Sequence, residues 1–366
     1  LPKADIRGVV CALTNLSAAP NSKEAIVPQT QERSEDNRID WGHSAPMLLI
    51  HLTPFAAFWT GTRMIDWIVC IALYWIRMFF LTAGYHRYFA HRSYKTSRAM
   101  QFLLALGGAT AAQKGVLWWS ANHRDHHKYS DEELDVHSPT RGFWWAHVTW
   151  ILCGKHKATN LDRVKDLAEY PELRWQNRWW ILPPVALAFL CLWIGGWSCV
   201  LIGFFLSTLV LWHSVFTINS LAHLWGSRRF DTKKDGSRNN VFLAITTLGE
   251  GWHNNHHHVQ TSARQGFYWW EIDCSWYILK ILSWFGLVWD LVEPTKSQLE
   301  RDRIKPGVMD RGREAYRDAR RRIRDAKKEA KRSWDEKKQR LSDAYASAKE
   351  AAGDIGKTAD KVGTDL

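Results

Sequence analysis

The chain has 366 residues, enough for one large domain or two modest ones. Its 49 Lys and Arg against 37 Asp and Glu leave a net charge of +12, which suits an anionic membrane surface or an anionic substrate. No nucleic-acid recognition motif accompanies that charge, and the long apolar runs argue against a nucleic-acid partner. The mean hydropathy of -0.32 hides a segregation: residues 45–295 are apolar and aromatic, and both ends are polar. The 23 Trp include the pairs Trp118–Trp119, Trp144–Trp145, Trp179–Trp180 and Trp269–Trp270, which border the apolar runs. Tryptophan favours the membrane–water interface, where its ring and its N–H are both satisfied. The six Cys are scattered without a CxxC pair, and Cys70, Cys191 and Cys199 read as buried free thiols.

Residues 1–44 read as a polar leader with no signal-peptide pattern. Four segments are apolar enough to span a bilayer, which takes about 20 residues each: 46–62, 65–84, 178–195 and 198–218. The first pair is joined near Gly61 by a turn carrying only Arg63, and the second pair by Gly195-Gly196-Trp197-Ser198 with no cation. Residues 85–177, 224–266 and the tail are rich in Lys and Arg. The positive-inside rule places them, with both termini, in the cytoplasm. The apolar stretches 99–119 and 268–292 carry charges or a Gly pair and read as interfacial or packed on the spans. Residues 296–366 change to an Ala-rich, charged extension that reads as a long solvated helix, with a short coiled coil or a lipid-surface helix as alternatives.

Nine histidines and one asparagine sit in four short clusters on the cytoplasmic side of this topology. HRYFAH holds His86 and His91. HRDHH holds His123, His126 and His127. NSLAH holds Asn219 and His223, and HNNHH holds His253, His256 and His257. The spacing i, i+3, i+4 in each HxxHH puts three imidazoles on one helix face. His86 and His91 are five apart, so on an α-helix they diverge, which sends them to different metals or requires a helix end. Nine imidazoles are too many for one ion and right for two. A thiolate-free imidazole set suits iron, copper or zinc, and the ligand number favours a dinuclear redox centre. Asn219, four residues before His223, is placed to hold a metal-bound water. Glu250 and Asp125 are candidates to orient imidazoles from behind. His43, His51, His147, His156 and His258 read as hydrogen-bonding or interfacial residues, and His137 and His213 stay open.

The segments GYHRYFAHRSYKT, NHRDHHKYSD, INSLAHLWG and LGEGWHNNHHH, with DVHSPTRGFWWAHVTW after the second, resemble the histidine boxes of the integral-membrane fatty acyl desaturases of the stearoyl-CoA type. The resemblance covers about residues 45–293. It implies an all-α integral-membrane fold of four transmembrane helices, with a cytoplasmic helical cap carrying two irons over an acyl tunnel. It implies dioxygen-dependent insertion of a cis double bond at the Δ9 position of a fatty acyl-CoA or similar thioester, with no catalytic residue beyond the metal ligands. A related di-iron hydroxylase, or a desaturase of lipid-linked chains, is the alternative.

By position, Tyr74 and Met78 would close the far end of the tunnel. Arg124, Lys128, Lys155 and Lys157 would meet an anionic carrier. Two departures stand out. Ala121-Asn122 replaces the mammalian-type Arg-Asp before the second box, which puts the carrier in doubt. No HPGG haem-binding segment is present, so electrons are expected from a separate ferredoxin, rubredoxin or b-type cytochrome with its reductase, drawn to the basic face. The bacterial plasma membrane is the expected compartment if the source is bacterial.

Overall fold

A computed structural model describes residues 38–233, 235–304 and 308–363. Most of the expected leader, residues 1–37, and the side chain of His43 lie outside the described residues. The chain divides into two compact units, one ending at Arg301 and one beginning at Asp302. Among the described residues of the first unit, the named elements are helical except for a two-residue antiparallel pair, Lys95–Thr96 with Val288–Trp289.

Helix α1 (Trp41–Ile50) is followed by a 3₁₀ turn over Thr53–Ala56 and a single helical turn over Ala57–Thr60. The expected first span, 46–62, is therefore not one helix. Pro54 is the second residue of the 3₁₀ turn, where its missing N–H costs nothing, and the Thr53 hydroxyl donates to the Ile50 carbonyl at 2.7 Å. Leu49, Leu52, Phe55, Phe58 and Trp59 stay exposed along this broken segment.

Among the described residues, two helices are long and apolar enough to cross a membrane: Met64–Ala90 and Leu182–Leu224. The first comprises α2 (Met64–Phe79) and a π-helical continuation, Phe80–Ala90. The second contains α6 (Leu182–Ser198), a π-helical stretch Cys199–Leu206, α7 (Ser207–Asn219) and α8 (Leu221–Leu224). Before them in this numbering come α3 (Arg98–Ala109), α4 (Val116–Tyr129) and α5 (Pro171–Arg178).

The second long run is not straight. Gly196 takes φ 67°, ψ -161°, which breaks the helix. Leu187 and Phe204, which a straight helix would hold about 25 Å apart, belong to one packed cluster with Cys191, Cys199 and Val200. The run thus doubles back, giving two arms where the sequence reads two spans and a tight turn. The turns before α2 and within α6 meet each other. Arg63 reaches Asp66 at 2.9 Å and donates to the Gly195 carbonyl. From Arg63 to His86 the helix rises about 30 Å, the thickness of a bilayer core.

The stretch 99–119 packs as expected. In α3, a Cβ on Gly107 would lie 2.3 Å from the Phe80 ring, and one on Gly108 would lie 2.2 Å from the Tyr85 ring. That closeness seats α3 against the π-helical segment carrying the first histidines. Helix α11 (Cys274–Trp284) is held to the same segment by Ser275, whose hydroxyl meets that of Thr82 at 2.6 Å. The labels α9 and α10 belong to Val241–Thr246 and His253–His258. Five cysteines are free thiols among the described residues: Cys70, Cys153, Cys191, Cys199 and Cys274.

Gly108→Ala separates propensity from packing. Alanine gains about 0.5–1 kcal/mol over glycine in a helix interior, whereas overpacking a filled site costs about 1–3 kcal/mol. Tyr85 is fully buried and has no room to yield, so packing wins. The expected result is a lower unfolding temperature in detergent; an unchanged or higher one contradicts the packing described.

Candidate metal centre

The nine box histidines gather into two groups. His86, His91, His123, His127 and His256 form one, and His126, His223, His253 and His257 form the other; within each, the potential ligand atoms lie within 4.8 Å of one another. Each HxxHH triplet serves both groups. Helix α4 sends His123 and His127 to the first and His126 to the second. Helix α10 sends His253 and His257 to the second and His256 to the first. An i, i+4 pair thus grips one position while the intervening i+3 residue leans to the other.

His86 and His91 fall in the same group, against the divergence expected of an α-helix. The reason is the π-helix. The His91 amide donates to the His86 carbonyl at 3.2 Å, an i→i+5 bond that winds one extra residue into the turn. Residues five apart are then stacked, and the two rings stand 4.9 Å apart.

Carboxylates fix the tautomers from behind. His86 Nδ1 contacts Glu250, and His257 Nδ1 contacts Asp235. His126 Nδ1 lies 2.9 Å from Asp135, and His223 Nδ1 lies 3.0 Å from Asp131. A carboxylate only accepts, so each of these Nδ1 atoms carries the proton and each Nε2 presents a lone pair. The Nε2 atoms then face one another: His86 to His256 at 3.0 Å, His127 to His256 at 2.9 Å, His223 to His253 at 2.9 Å. His257 Nε2 is buried without a hydrogen-bond partner. Converging lone pairs in a buried site repel unless a cation lies between them, so the donor set fits two metal ions.

Glu250 is where the sequence places it. Asp125 is not: its carboxylate pairs with Arg163 at 2.5 Å and faces away from the imidazoles. Asp131, Asp135 and Asp235 do that work, and nothing in SDEELD or KKDG distinguishes them from surface acids. Arg87 was also missed. It is fully buried, and its guanidinium spans Glu250 at 3.1 Å and Asp273 at 2.9 Å. Gly249 makes this possible. Its φ is +124°, and a Cβ there would meet the Asp273 carboxylate at 2.4 Å.

Burial, and then the mutual repulsion of neighbouring imidazolium charges, push His91, His123, His127, His253 and His256 well below the usual histidine range. Burial is the largest single cause at His126 too, but the carboxylates of Asp135, Asp235 and Asp131 together outweigh it and the net direction is upward. At His137 burial, then His126, lowers the pKa to about 3. His137 sits beside His126, with rings 4.3 Å apart.

His51, His147 and His213 belong elsewhere. His51 Nε2 meets His213 Nε2 at 3.2 Å, His213 Nδ1 meets His147 Nε2 at 3.0 Å, and His147 Nδ1 meets the Ser220 hydroxyl at 3.0 Å. His213 uses a different nitrogen for each neighbour, so this is a chain and not a chelate. His258 bonds the Gln298 carbonyl at 2.6 Å and stacks on Phe230.

A cavity of about 420 Å³ opens beside the first group. Its lining includes His123, Asn219 and Lys114 and the apolar walls Trp119, Trp212 and Phe216. Neither Tyr74 nor Met78 lines it. The Tyr74 hydroxyl donates to the Thr246 carbonyl at 2.6 Å, and Met78 is buried in the core cluster that also holds Trp212 and Phe216. Of the four expected carrier-binding cations, Arg124 is bound to Asp166 at 2.6 Å and to the Phe89 and Ala90 carbonyls, and Lys157 pairs with Asp40 at 2.7 Å. Lys128 lies over the Tyr129 ring at 4.8 Å. Lys155 follows Cys153 and Gly154 in a short 3₁₀ turn.

The fatty acid desaturase family matches residues 65–283. The chain belongs to that family. It is 36% identical over 273 residues to an sn-2 palmitoyl-lipid 9-desaturase of Nostoc sp., covering 72% of this chain and 93% of that protein. Against an sn-1 stearoyl-lipid 9-desaturase of Anabaena variabilis it is 35% identical, over 71% of this chain and 97% of the other. Against an acyl-CoA C20 Delta5-desaturase of Anemone leveillei it is 39% identical, over 62% and 74%. The desaturase is accordingly an oxidoreductase acting on fatty acyl chains.

Two outcomes check the site. Asp235→Asn should lower metal affinity about 10–100-fold, the usual effect of losing a carboxylate behind a ligating imidazole, while Asp125→Asn should not. Metal per chain after chelator dialysis reads both, and equal losses would contradict the assignment. In the metal-free desaturase, the lowered histidines have folded-state pKa values below their unfolded 6.5. The unfolded chain therefore binds protons first, and stability should be full above about pH 6.5 and fall as the pH drops below it. Urea midpoints across that range test the sign.

Proposed function

We propose that this desaturase inserts a cis double bond at the Δ9 position of a saturated acyl chain carried on a membrane glycerolipid, using dioxygen and two irons held by the nine histidines. The observation that carries the reading is the pairing of two imidazole groups with one apolar cavity, whose lining contains both His123 and Asn219. When bound, the irons would supply the two-electron activation of dioxygen needed to take hydrogen from unactivated methylenes.

The protein's own part is positioning. Trp119, Trp212 and Phe216 wall the cavity, exclude water and hold the chain against the centre. His123 marks the first iron, with His86, His91, His127 and His256. The second takes His126, His223, His253 and His257, with Asn219 acting through water. Arg87 and Glu250 keep His86 from turning, and Asp131, Asp135 and Asp235 do the same for His223, His126 and His257.

The carrier assignment rests on charge. An acyl-CoA needs cations for its phosphates, yet Arg124 and Lys157 are committed to Asp166 and Asp40. At the Ala121-Asn122 departure the surface offers no charge: Ala121 is buried, and the Asn122 amide donates to the Trp118 carbonyl at 2.9 Å. The two lipid desaturases named above are also matched over nearly their whole length. Four membrane crossings, with the histidines and both termini on the cytoplasmic face, complete the proposal. The broken segment 41–60 and the arms either side of Gly196 supply three of them. Electrons come from a separate donor protein.

The test is expression in a host lacking its own desaturase, with double bonds located by mass spectrometry. Δ9 monoenes should appear and should vanish in His126→Ala and His256→Ala. Hydroxylated chains instead would overturn the reaction. Purified protein with a matched donor should convert chains esterified in vesicles without their release; turnover confined to acyl-CoA would overturn the carrier. Met78 shares its core cluster with Trp212 and Phe216, and with Tyr74 it is assigned to the far end of the acyl path. Met78→Ala should shift preference toward longer chains, and an unchanged profile would remove Met78 from that role.

A further inference from the structure

The second unit carries one long helix, α12 (Val308–Gly363), and its described side chains are exposed. Among the large apolar ones, Tyr316 is 67% exposed, Ile323 57%, Trp334 69% and Leu341 73%. At about 100° per residue, these four fall within roughly 20° of one line. Ala319, Ala326, Ala330 and Ala344 widen the stripe by about 30–70° on one side.

The charges are sorted around that stripe. Residues 318–344 hold eleven Lys and Arg and six Asp and Glu. Every acid, namely Asp318, Asp325, Glu329, Asp335, Glu336 and Asp343, lies about 110° or more from the line of the stripe, with Asp335 the nearest. Six of the eleven cations lie within about 90° of it: Arg320, Arg324, Lys327, Lys331, Lys337 and Lys338, while Arg322 and Arg340 stand at about 110° on the alanine side. A helix that merely solvates itself would alternate its signs on every face. Here the border between apolar and polar surface is wholly cationic, and the acids are confined to the opposite side.

We propose that α12 lies along an anionic lipid surface, with its apolar stripe among the acyl chains and its border cations at the phosphates. Lys and Arg beside an apolar stripe keep their stems in the apolar layer while the charged ends reach headgroups. Trp334 and Tyr316 are the residue types that settle at that depth. The acids face water, where an anionic surface cannot repel them.

A second copy of the chain fits this face poorly. The stripe runs through Tyr316, Ile323, Ala330, Trp334 and Leu341 in steps of seven, seven, four and seven, so the sustained seven-residue repeat of a left-handed coiled coil is interrupted after Ala330. Its two cationic borders would also face each other across a parallel pair. The inference is independent of the reaction proposed above, since it uses no residue of the metal centre.

The full chain, placed in nanodiscs of phosphatidylcholine alone or of phosphatidylcholine with phosphatidylglycerol, provides the test. Hydrogen exchange over 318–344 is read by mass spectrometry. Exchange should slow about tenfold or more in the anionic discs only, as expected for a basic helix drawn to acidic lipid, and added salt should weaken the effect. Trp334→Glu and Leu341→Glu change exposed side chains and should abolish protection without lowering desaturation. Fast exchange in both lipids would show a free helix and overturn the proposal. Slow exchange in both lipids would also overturn it, and a dependence on protein concentration would then identify a second copy as the occupant.

Discussion

Everything in the first unit answers to one electrostatic constraint: imidazole lone pairs crowded together away from water. Neutral histidines at 3 Å with their acceptor nitrogens face to face are unfavourable by themselves. The fold holds them there with a ring of carboxylates, each proton-accepting and each tied in turn to something rigid. Asp131 takes the Gly236 amide at 2.6 Å, and Asp235 takes the Ser237 amide at 2.7 Å. Glu250 is fastened by Arg87, which also clamps Asp273, and Asp273 caps α11 through the Trp276 amide at 3.0 Å. The metal centre and the helix packing are therefore one network.

That network explains why irregular backbone collects near the chemistry. The π-helix from Phe80 to Ala90 is a poorer helix than the α-helix it extends. It persists because it aligns His86 with His91 and lets Arg87, between them, point the other way into the carboxylates. Gly249 occupies a backbone region closed to other residues because Arg87 and Asp273 leave no room for a side chain. Both irregularities are local costs offset by the geometry they allow.

The helical class, the four clusters and the family were legible in the sequence for plain reasons. Apolar runs of spanning length admit few soluble explanations, and repeated HxxHH has little purpose apart from metals. Glu250 was legible because it lies beside the last box. The first apolar run was legible in composition but not in form: Pro54 and the turn at Thr53 break it, and composition is blind to where a helix is interrupted. Asp125 misled for a related reason. Lying next to His126 in sequence puts it on the other side of α4, where Arg163 waits.

The sequence by itself determined which residue types are available: nine imidazoles, no thiolates among them, on segments tethered to apolar helices, and a tail whose charges are sorted about one stripe. Those properties follow from composition and helical spacing, which are local. The division of the histidines into five and four was decided only by tertiary structure. It depends on a change of helical pitch after Phe79, on two helices crossing so that each lends its middle histidine to the other's partners, and on carboxylates brought from loops distant in sequence. Spacing along one helix cannot encode which of two neighbouring sites a side chain will reach, because that choice is made by the elements packed against it.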